Sequence, residues 1–202
     1  MTGLRERSKL RRRKLVVDAA EKLFREKGYV GTTIENIASS ADVSIGSLYS
    51  AFGSKGGIMR AVMQPVIERM KRDAEAVIED PPKRGVAAIL ALLDAYRFTD
   101  DWRDLRLLSV LDQRAAGQEE DLEKLVEDFE GFITAQMGRL LSLLQTEGKI
   151  SEELAIDDAV FILYTVFVAH FQQYVIQRPA RSYDDILSDL HRRVHQLFVS
   201  WT

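Results

Sequence analysis

Ile34-Glu35-Asn36-Ile37-Ala38-Ser39-Ser40-Ala41-Asp42-Val43-Ser44-Ile45-Gly46-Ser47-Leu48-Tyr49-Ser50-Ala51-Phe52-Gly53, residues 34–53, is the stretch on which the fold turns. It reads as two short helices with a tight turn between them. Thr32 precedes the first, and with Glu35 three positions on it makes a capping box: a hydroxyl that accepts an orphan amide and a carboxylate that reaches back. Ser44 is placed to cap the second, over 45–52. Ala38 is small where two steeply crossed helices would touch, and Ile37, Ala41, Val43 and Leu48 supply the apolar contacts that fix the crossing. Asp42 falls in the turn, where Asp tolerates the left-handed backbone such a turn requires.

Working outward, the apolar spacing stays at three and four, with no sustained period-two alternation, so the chain reads as all-α. Upstream, the stripe Val16, Ala20, Leu23 and Phe24 marks a helix over 5–27, stopped at Gly28. Downstream, Ser54 caps a fourth helix that runs to about residue 79, with Pro65 inside it as an expected kink. Pro81-Pro82 separates that helix from an apolar one over 85–98. Asp100 or Asp101 can cap a helix over 102–116, ended by Gly117. Glu119, Glu120 and Asp121 open a long helix finishing near Gly148, where the helix dipole favours acids at the start. Asp157 or Asp158 begins a very apolar helix that stops before Pro179, and Ser182 with Asp185 signals the start of the last.

The 202 residues include no cysteine, which leaves neither a disulfide framework nor a thiolate metal site and fits a reducing cytoplasm. The most apolar run, 159–171, is shorter than the roughly 20 residues of a bilayer span, so no membrane partner is expected. The basic N-terminus lacks the apolar segment of a signal peptide. The net charge of −3 conceals an asymmetry: residues 1–60 carry 12 Lys/Arg against 6 Asp/Glu, and the rest carry 16 against 25. One end suits a polyanion, and the other would be repelled by it. Two crossed helices on a basic segment are what reading double-stranded DNA demands.

The residues also carry a resemblance. Thr32-Thr33-Ile34-Glu35-Asn36-Ile37-Ala38, then Val43-Ser44-Ile45-Gly46-Ser47-Leu48-Tyr49, then Phe52-Gly53-Ser54-Lys55, in that order and spacing, resemble the N-terminal signature of the TetR family of transcriptional regulators. The resemblance implies a three-helix DNA-binding domain with a helix-turn-helix over 1–53, and a helical effector-binding and dimerisation domain over 54–202. It implies that Ser44, Ile45, Gly46 and Ser47 lead the recognition helix into the major groove, that Tyr49 and Thr33 give hydroxyls to phosphates, and that Lys55 adds a charge at a helix N-terminus. Lys9 and Arg12 of the basic first helix can add backbone contacts. Three positions depart from the pattern. Asp42 stands where the family usually has Gly. Ile45 stands where it often has Lys, which suggests contact with a thymine methyl or partial burial against Leu48. Gly56-Gly57 replace better helix formers, each costing on the order of 1 kcal/mol, so fraying is expected at the start of the fourth helix.

In the C-terminal part, Tyr183, Leu187, Leu190, Val194, Leu197 and Trp201 recur in steps of four and three, a heptad seam suited to a homodimer. The preceding helix is apolar on nearly every side, more than its own chain easily covers. Phe98, Trp102, Phe129, Phe132, Met137, Tyr164, Phe167 and His170 are the candidates for contact with a small, largely apolar effector; core or interface packing is the simpler reading of each. His191 and His195, one turn apart, have the spacing of a metal pair but no third ligand, and an exposed pair beside the seam is the reading preferred. The expectation is a cytoplasmic, ligand-responsive repressor on a palindromic operator. The alternatives are an architectural DNA-binding protein without effector and a helical enzyme. Against the enzyme stand the lack of a nucleophile with a matched base, of a metal cluster and of a cofactor loop; Gly53-Ser54-Lys55-Gly56-Gly57 has neither the strand nor the spacing of a phosphate loop. No catalytic residue, metal or cofactor is assigned.

Overall fold

A computed structural model describes residues 2–97, 120–177, 182–199 and 201. Among them the chain forms α1 (Thr2–Lys27), α2 (Ile34–Ser40), α3 (Ile45–Phe52), α4 (Lys55–Glu79), α5 (Gly85–Ala95), α6 (Glu120–Thr146), α7 (Ile156–Gln177) and α8 (Tyr183–Val199), with no strand. The expected helix over 102–116 lies outside the described residues, as do Phe98 and Trp102.

The described residues group into two compact units. One holds residues up to Pro65 together with α6 as far as Glu127, and the other holds Val66 onward and Asp128 onward. In the first, Val16, Ala20 and Phe24 of α1 bury against Ile37 and Ala38 of α2 and Leu48 of α3, each no more than 5% exposed. α1 begins three residues earlier than the apolar stripe suggests, because Arg, Lys and Leu are good helix formers and nothing before Val16 breaks the pattern. It ends at Gly28, whose φ of 74° lets its amide close on the Phe24 carbonyl at 3.0 Å. Asp42 takes the expected left-handed turn at φ 53°, and the Val43 amide then reaches the Ala38 carbonyl at 3.0 Å. Small Ala38 is what permits that approach.

The capping box forms one residue later than the sequence suggests. Thr33 is the N-cap of α2; its hydroxyl accepts the Asn36 amide at 3.2 Å, and Asn36 accepts the Thr33 amide in return. Thr32 is fully buried instead, where a hydroxyl must find partners, and it donates toward the carbonyls of Gly28 (2.8 Å) and Leu23 (3.2 Å) at the end of α1. Burial beneath α1 decides between the two threonines.

In the second unit, α8 packs on α7 and α5. Tyr183, Leu190, Val194 and Trp201 of the heptad series are buried within this one chain, and Leu187 and Leu197 are half-buried. Most of the seam therefore lies in the chain's own core. Among the described residues of this unit, the exposed large apolar side chains are Phe161, at 71%, and Ile162, at 38%, both on α7.

Candidate nucleic-acid interface

The leading end of α3 is held by hydroxyls. Ser44 Oγ accepts the Ser47 amide at 3.2 Å, and the two serine Oγ atoms lie 2.8 Å apart, so both stand exposed at the start of the helix with donors and acceptors to offer. Gly46 is open, with no atom within 4 Å of the place a Cβ would take. Ile45 is 41% exposed and Tyr49 is 53% exposed, an expensive display of apolar surface for a helix that has nothing to meet. The one buried side chain of α3 is Leu48.

Ser44, Gly46 and Ser47 share a groove of about 570 Å3 with Lys9 and Arg12 of α1. Five of the nine positions singled out from the sequence thus meet on one concave, positively charged surface. Arg12 is exposed and donates to Ser8 at 3.2 Å, a weak local tie that leaves most of its guanidinium toward solvent. Arg13 also lines this groove, and sequence reasoning passed over it: its guanidinium donates to the Ala51 carbonyl at 3.0 Å and lies 4.4 Å from the centre of the Phe52 ring. Its position three before Val16, on the face that meets α3, is the signal that could have identified it.

Thr33 and Lys55 lie elsewhere in the first unit. Thr33 is exposed, and hydrogen bonds from the Glu35 amide and from the Thr33 hydroxyl hold the Glu35 carboxyl below the usual carboxylate range. Lys55 is half-buried. Its ammonium donates to the carbonyls of Tyr29 (3.2 Å) and Thr32 (3.3 Å) and sits 4.1 Å from the centre of the Tyr29 ring, so it ties the start of α4 to the connection between α1 and α2.

In the second unit an aromatic series runs from Phe129 to Phe132 (5.1 Å between centroids), Phe132 to Tyr96 (6.2 Å), Tyr96 to Phe167 (5.9 Å) and Phe167 to Phe171 (4.7 Å). Tyr96 was not singled out from the sequence, yet it is the hub, with its hydroxyl donating to Gln136 at 3.2 Å and Gln136 donating to the Lys71 carbonyl at 3.1 Å. Burial, with the nearby charge of Glu75, raises the Tyr96 phenol far above its ordinary range, so it acts there as a neutral donor. Met137 and Phe167 are fully buried, and Tyr164 is half-exposed. His170 is 2% exposed, with Nδ1 on the Val166 carbonyl and Nε2 accepting from Arg193 at 2.9 Å, which fixes the neutral tautomer protonated on Nδ1. Both ring nitrogens are committed within the protein. His191 does not stand beside His195 as an exposed pair: it meets the Asp94 carboxylate at 2.8 Å, while His195 is exposed.

Residues 16–62 match the family model for bacterial regulatory proteins of the tetR family. The chain is 38% identical over 92 residues to the HTH-type transcriptional regulator HbdR of Aromatoleum sp. (strain CIB), covering 43% of this chain and 40% of that protein. It is 33% identical over 89 residues to the HTH-type transcriptional repressor DhaR of Mycobacterium sp. (strain GP1), covering 41% and 45%. The chain thus spans less than half the length of these two relatives. In fold it is similar to the transcriptional regulator FadR from Bacillus subtilis in complex with stearoyl-CoA, with a TM-score of 0.72 and 15% identity over 90% of this chain and 96% of that one.

Proposed function

We propose that this chain, whose residues 16–62 match the family model for bacterial regulatory proteins of the tetR family, is a DNA-binding transcriptional regulator, a repressor that leaves its operator when a small, largely apolar effector binds. The observation that carries the DNA-binding reading is the groove in which Lys9 and Arg12 face Ser44, Gly46 and Ser47. A phosphate backbone entering it meets cations on one wall and the exposed start of α3 on the other, the arrangement in which backbone contacts set register while α3 reads base edges. Tyr49, Thr33 and Lys55 complete the proposed contact set.

We assign DNA binding to residues 1–53 and effector binding with dimerisation to 54–202. A two-fold dimer presents two copies of α3 about 34–36 Å apart, which calls for a palindromic operator. The aromatic series around Tyr96, with Phe129, Phe132, Met137, Tyr164, Phe167 and His170, supports an apolar effector, as does the likeness in fold to FadR, which was solved in complex with stearoyl-CoA. An effector need only favour one of two dimer spacings to change DNA affinity. No helix among the described residues is long and apolar enough to cross a membrane, in keeping with work in the cytoplasm.

Selecting a duplex from random sequence with the full chain, then titrating salt, tests the reading. Affinity should fall steeply with salt, by about 0.9 in log K per log unit for each phosphate neutralised, and Lys9→Ala with Arg12→Ala should lessen that slope. Recovery of no preferred duplex, or an affinity indifferent to salt, defeats it.

A further inference from the structure

Recognition helix α3 is short and poorly anchored. It has eight residues and one fully buried side chain, Leu48, and a helix of that length is marginal without help at its ends. Leu48 is thus its single fully buried apolar contact. The connection from α2 restrains its start, through Ser44. At its far end the Gly53 amide takes the Tyr49 carbonyl at 2.9 Å, which leaves the Ala51 carbonyl among those with no partner inside the helix.

Arg13 fills that gap from α1. Its Nη1 donates to the Ala51 oxygen at 3.0 Å, its guanidinium stacks on Phe52 at 4.4 Å, and its positive charge sits where the helix dipole of α3 favours a cation. Arg13 lies one helical turn from Lys9 on the same face of α1, and all three α1 cations, with Arg12, line the groove that Ser44 and Ser47 close. Fixing the end of α3 to Arg13 therefore fixes the distance between the two walls of the groove.

We propose that Arg13 is a positioning residue for DNA binding, a clasp that sets the angle of α3 against α1 so that Lys9 and Arg12 reach phosphate while Ser44–Ser47 reach bases. This rests on the regulator reading above. The guanidinium faces Ala51 and Phe52 and need not touch DNA itself. The consequence is coupling: the contribution of Lys9 and Arg12 depends on Arg13.

A double-mutant cycle on the full chain, with a duplex selected by the wild-type protein as the probe, tests the clasp. Arg13→Met keeps much of the packing over Phe52 and removes the donor, while Arg13→Lys keeps a charge and a donor. In the wild-type background, Lys9→Ala with Arg12→Ala should lower the salt slope by about 3.6, two phosphates' worth in each of the two subunits. In the Arg13→Met background the same pair should change the slope little, because the register that served them is gone, and Arg13→Met alone should weaken binding at least about tenfold. Arg13→Lys should recover part of the loss. Three results overturn the inference. Full additivity in both backgrounds does so, and so does a slope loss of about 1.8 for Arg13→Met, one phosphate per subunit, with additive partners, which makes Arg13 a plain phosphate contact. The third is a lowered melting temperature with DNA affinity unchanged well below it, which makes Arg13 structural only. Should the wild-type chain show no salt-dependent DNA binding, the regulator reading falls as well, whereas these three outcomes leave it standing.

Discussion

Ser54 donates its hydroxyl to the Asp121 carboxylate, and the same oxygen accepts the Gly57 amide at 2.9 Å, so one serine caps α4 and joins it to the first turn of α6. This contact explains Gly56-Gly57, which the sequence presents as a weakness. A Cβ at position 56 would lie 2.8 Å from Asp121 Cβ and 3.2 Å from the Leu122 amide, and one at position 57 would lie 1.9 Å from the Phe52 carbonyl oxygen. The glycines let α6 and the end of α3 approach α4 closely. The expected fraying at the start of α4 is offset by the cap and by this packing.

Replacing either glycine should therefore destabilise the protein although alanine is the better helix former. The propensity gain is about 1 kcal/mol, while forcing a methyl into backbone costs about 1–3 kcal/mol or more. Gly57→Ala should be the worse of the two, since the obstructing atom is a main-chain oxygen and cannot rotate away. Denaturant melts of both variants decide the matter: a Gly57→Ala protein as stable as the wild type would show that the close approach does not exist.

Lys55 offers a second test, because its ammonium serves two carbonyls and the Tyr29 ring in the free protein. Lys55→Met should cost about 1.5–3 kcal/mol of stability, the range for hydrogen bonds made by a charged group. If Lys55 also meets a phosphate, the salt slope of DNA binding should fall by about 1.8, one phosphate per subunit, in the same variant. Stability unchanged with the slope reduced would make Lys55 a DNA contact alone.

The helix-turn-helix was legible in the sequence because its demands are local. A small Ala38, a left-handed Asp42 and the Ser44 cap each act within a few residues, and each stands where expected. The order and type of the described helices were legible for the same reason, since caps and breakers such as Ser54, Gly28, Gly148 and Ser182 act on their nearest turn. Choices made by distant packing were not legible. Whether Thr32 or Thr33 caps α2 depends on what α1 covers. The heptad series of α8 looks the same whether it meets a partner or its own α7 and α5. Arg13 looked like one more solvated cation until Ala51 and Phe52 came to lie beside it. His191 finds Asp94, 97 positions away, which no spacing rule foretells.

That His191–Asp94 pair predicts a pH dependence. The hydrogen bond with Asp94 raises the imidazole above its ordinary value of 6.5, burial pulls the other way, and the carboxylate's charge adds to the rise. The folded-state pKa exceeds the unfolded one, so the pair's contribution is fully present below 6.5 and is lost as pH rises through the folded value. The pair is partly exposed, so its worth is small, about 0.2–1 kcal/mol. Asp94→Asn should lower the melting temperature by about 1–3 °C near pH 6 and scarcely at all near pH 9. A gap between wild type and variant that widens with rising pH would reverse the assignment.

Phe161 and Leu190 separate the surface proposed for dimerisation from the core. Both are apolar residues on helices the sequence marks for partnering, yet Phe161 is 71% exposed and Leu190 is 1% exposed. An aromatic ring left in water beside Ile162 is worth burying against a second copy of the chain, and a charge placed there would be stranded in the interface. Phe161→Arg should therefore yield a folded monomer by sedimentation, with helical content intact and DNA affinity much reduced because one half-site alone is held. Leu190→Ala should instead cost about 2–5 kcal/mol of folding stability through the cavity it opens, with the fraction that remains folded still dimeric. Dimers persisting in Phe161→Arg, and dissociating in Leu190→Ala, would return the interface to the heptad series of α8 and remove α7 from it.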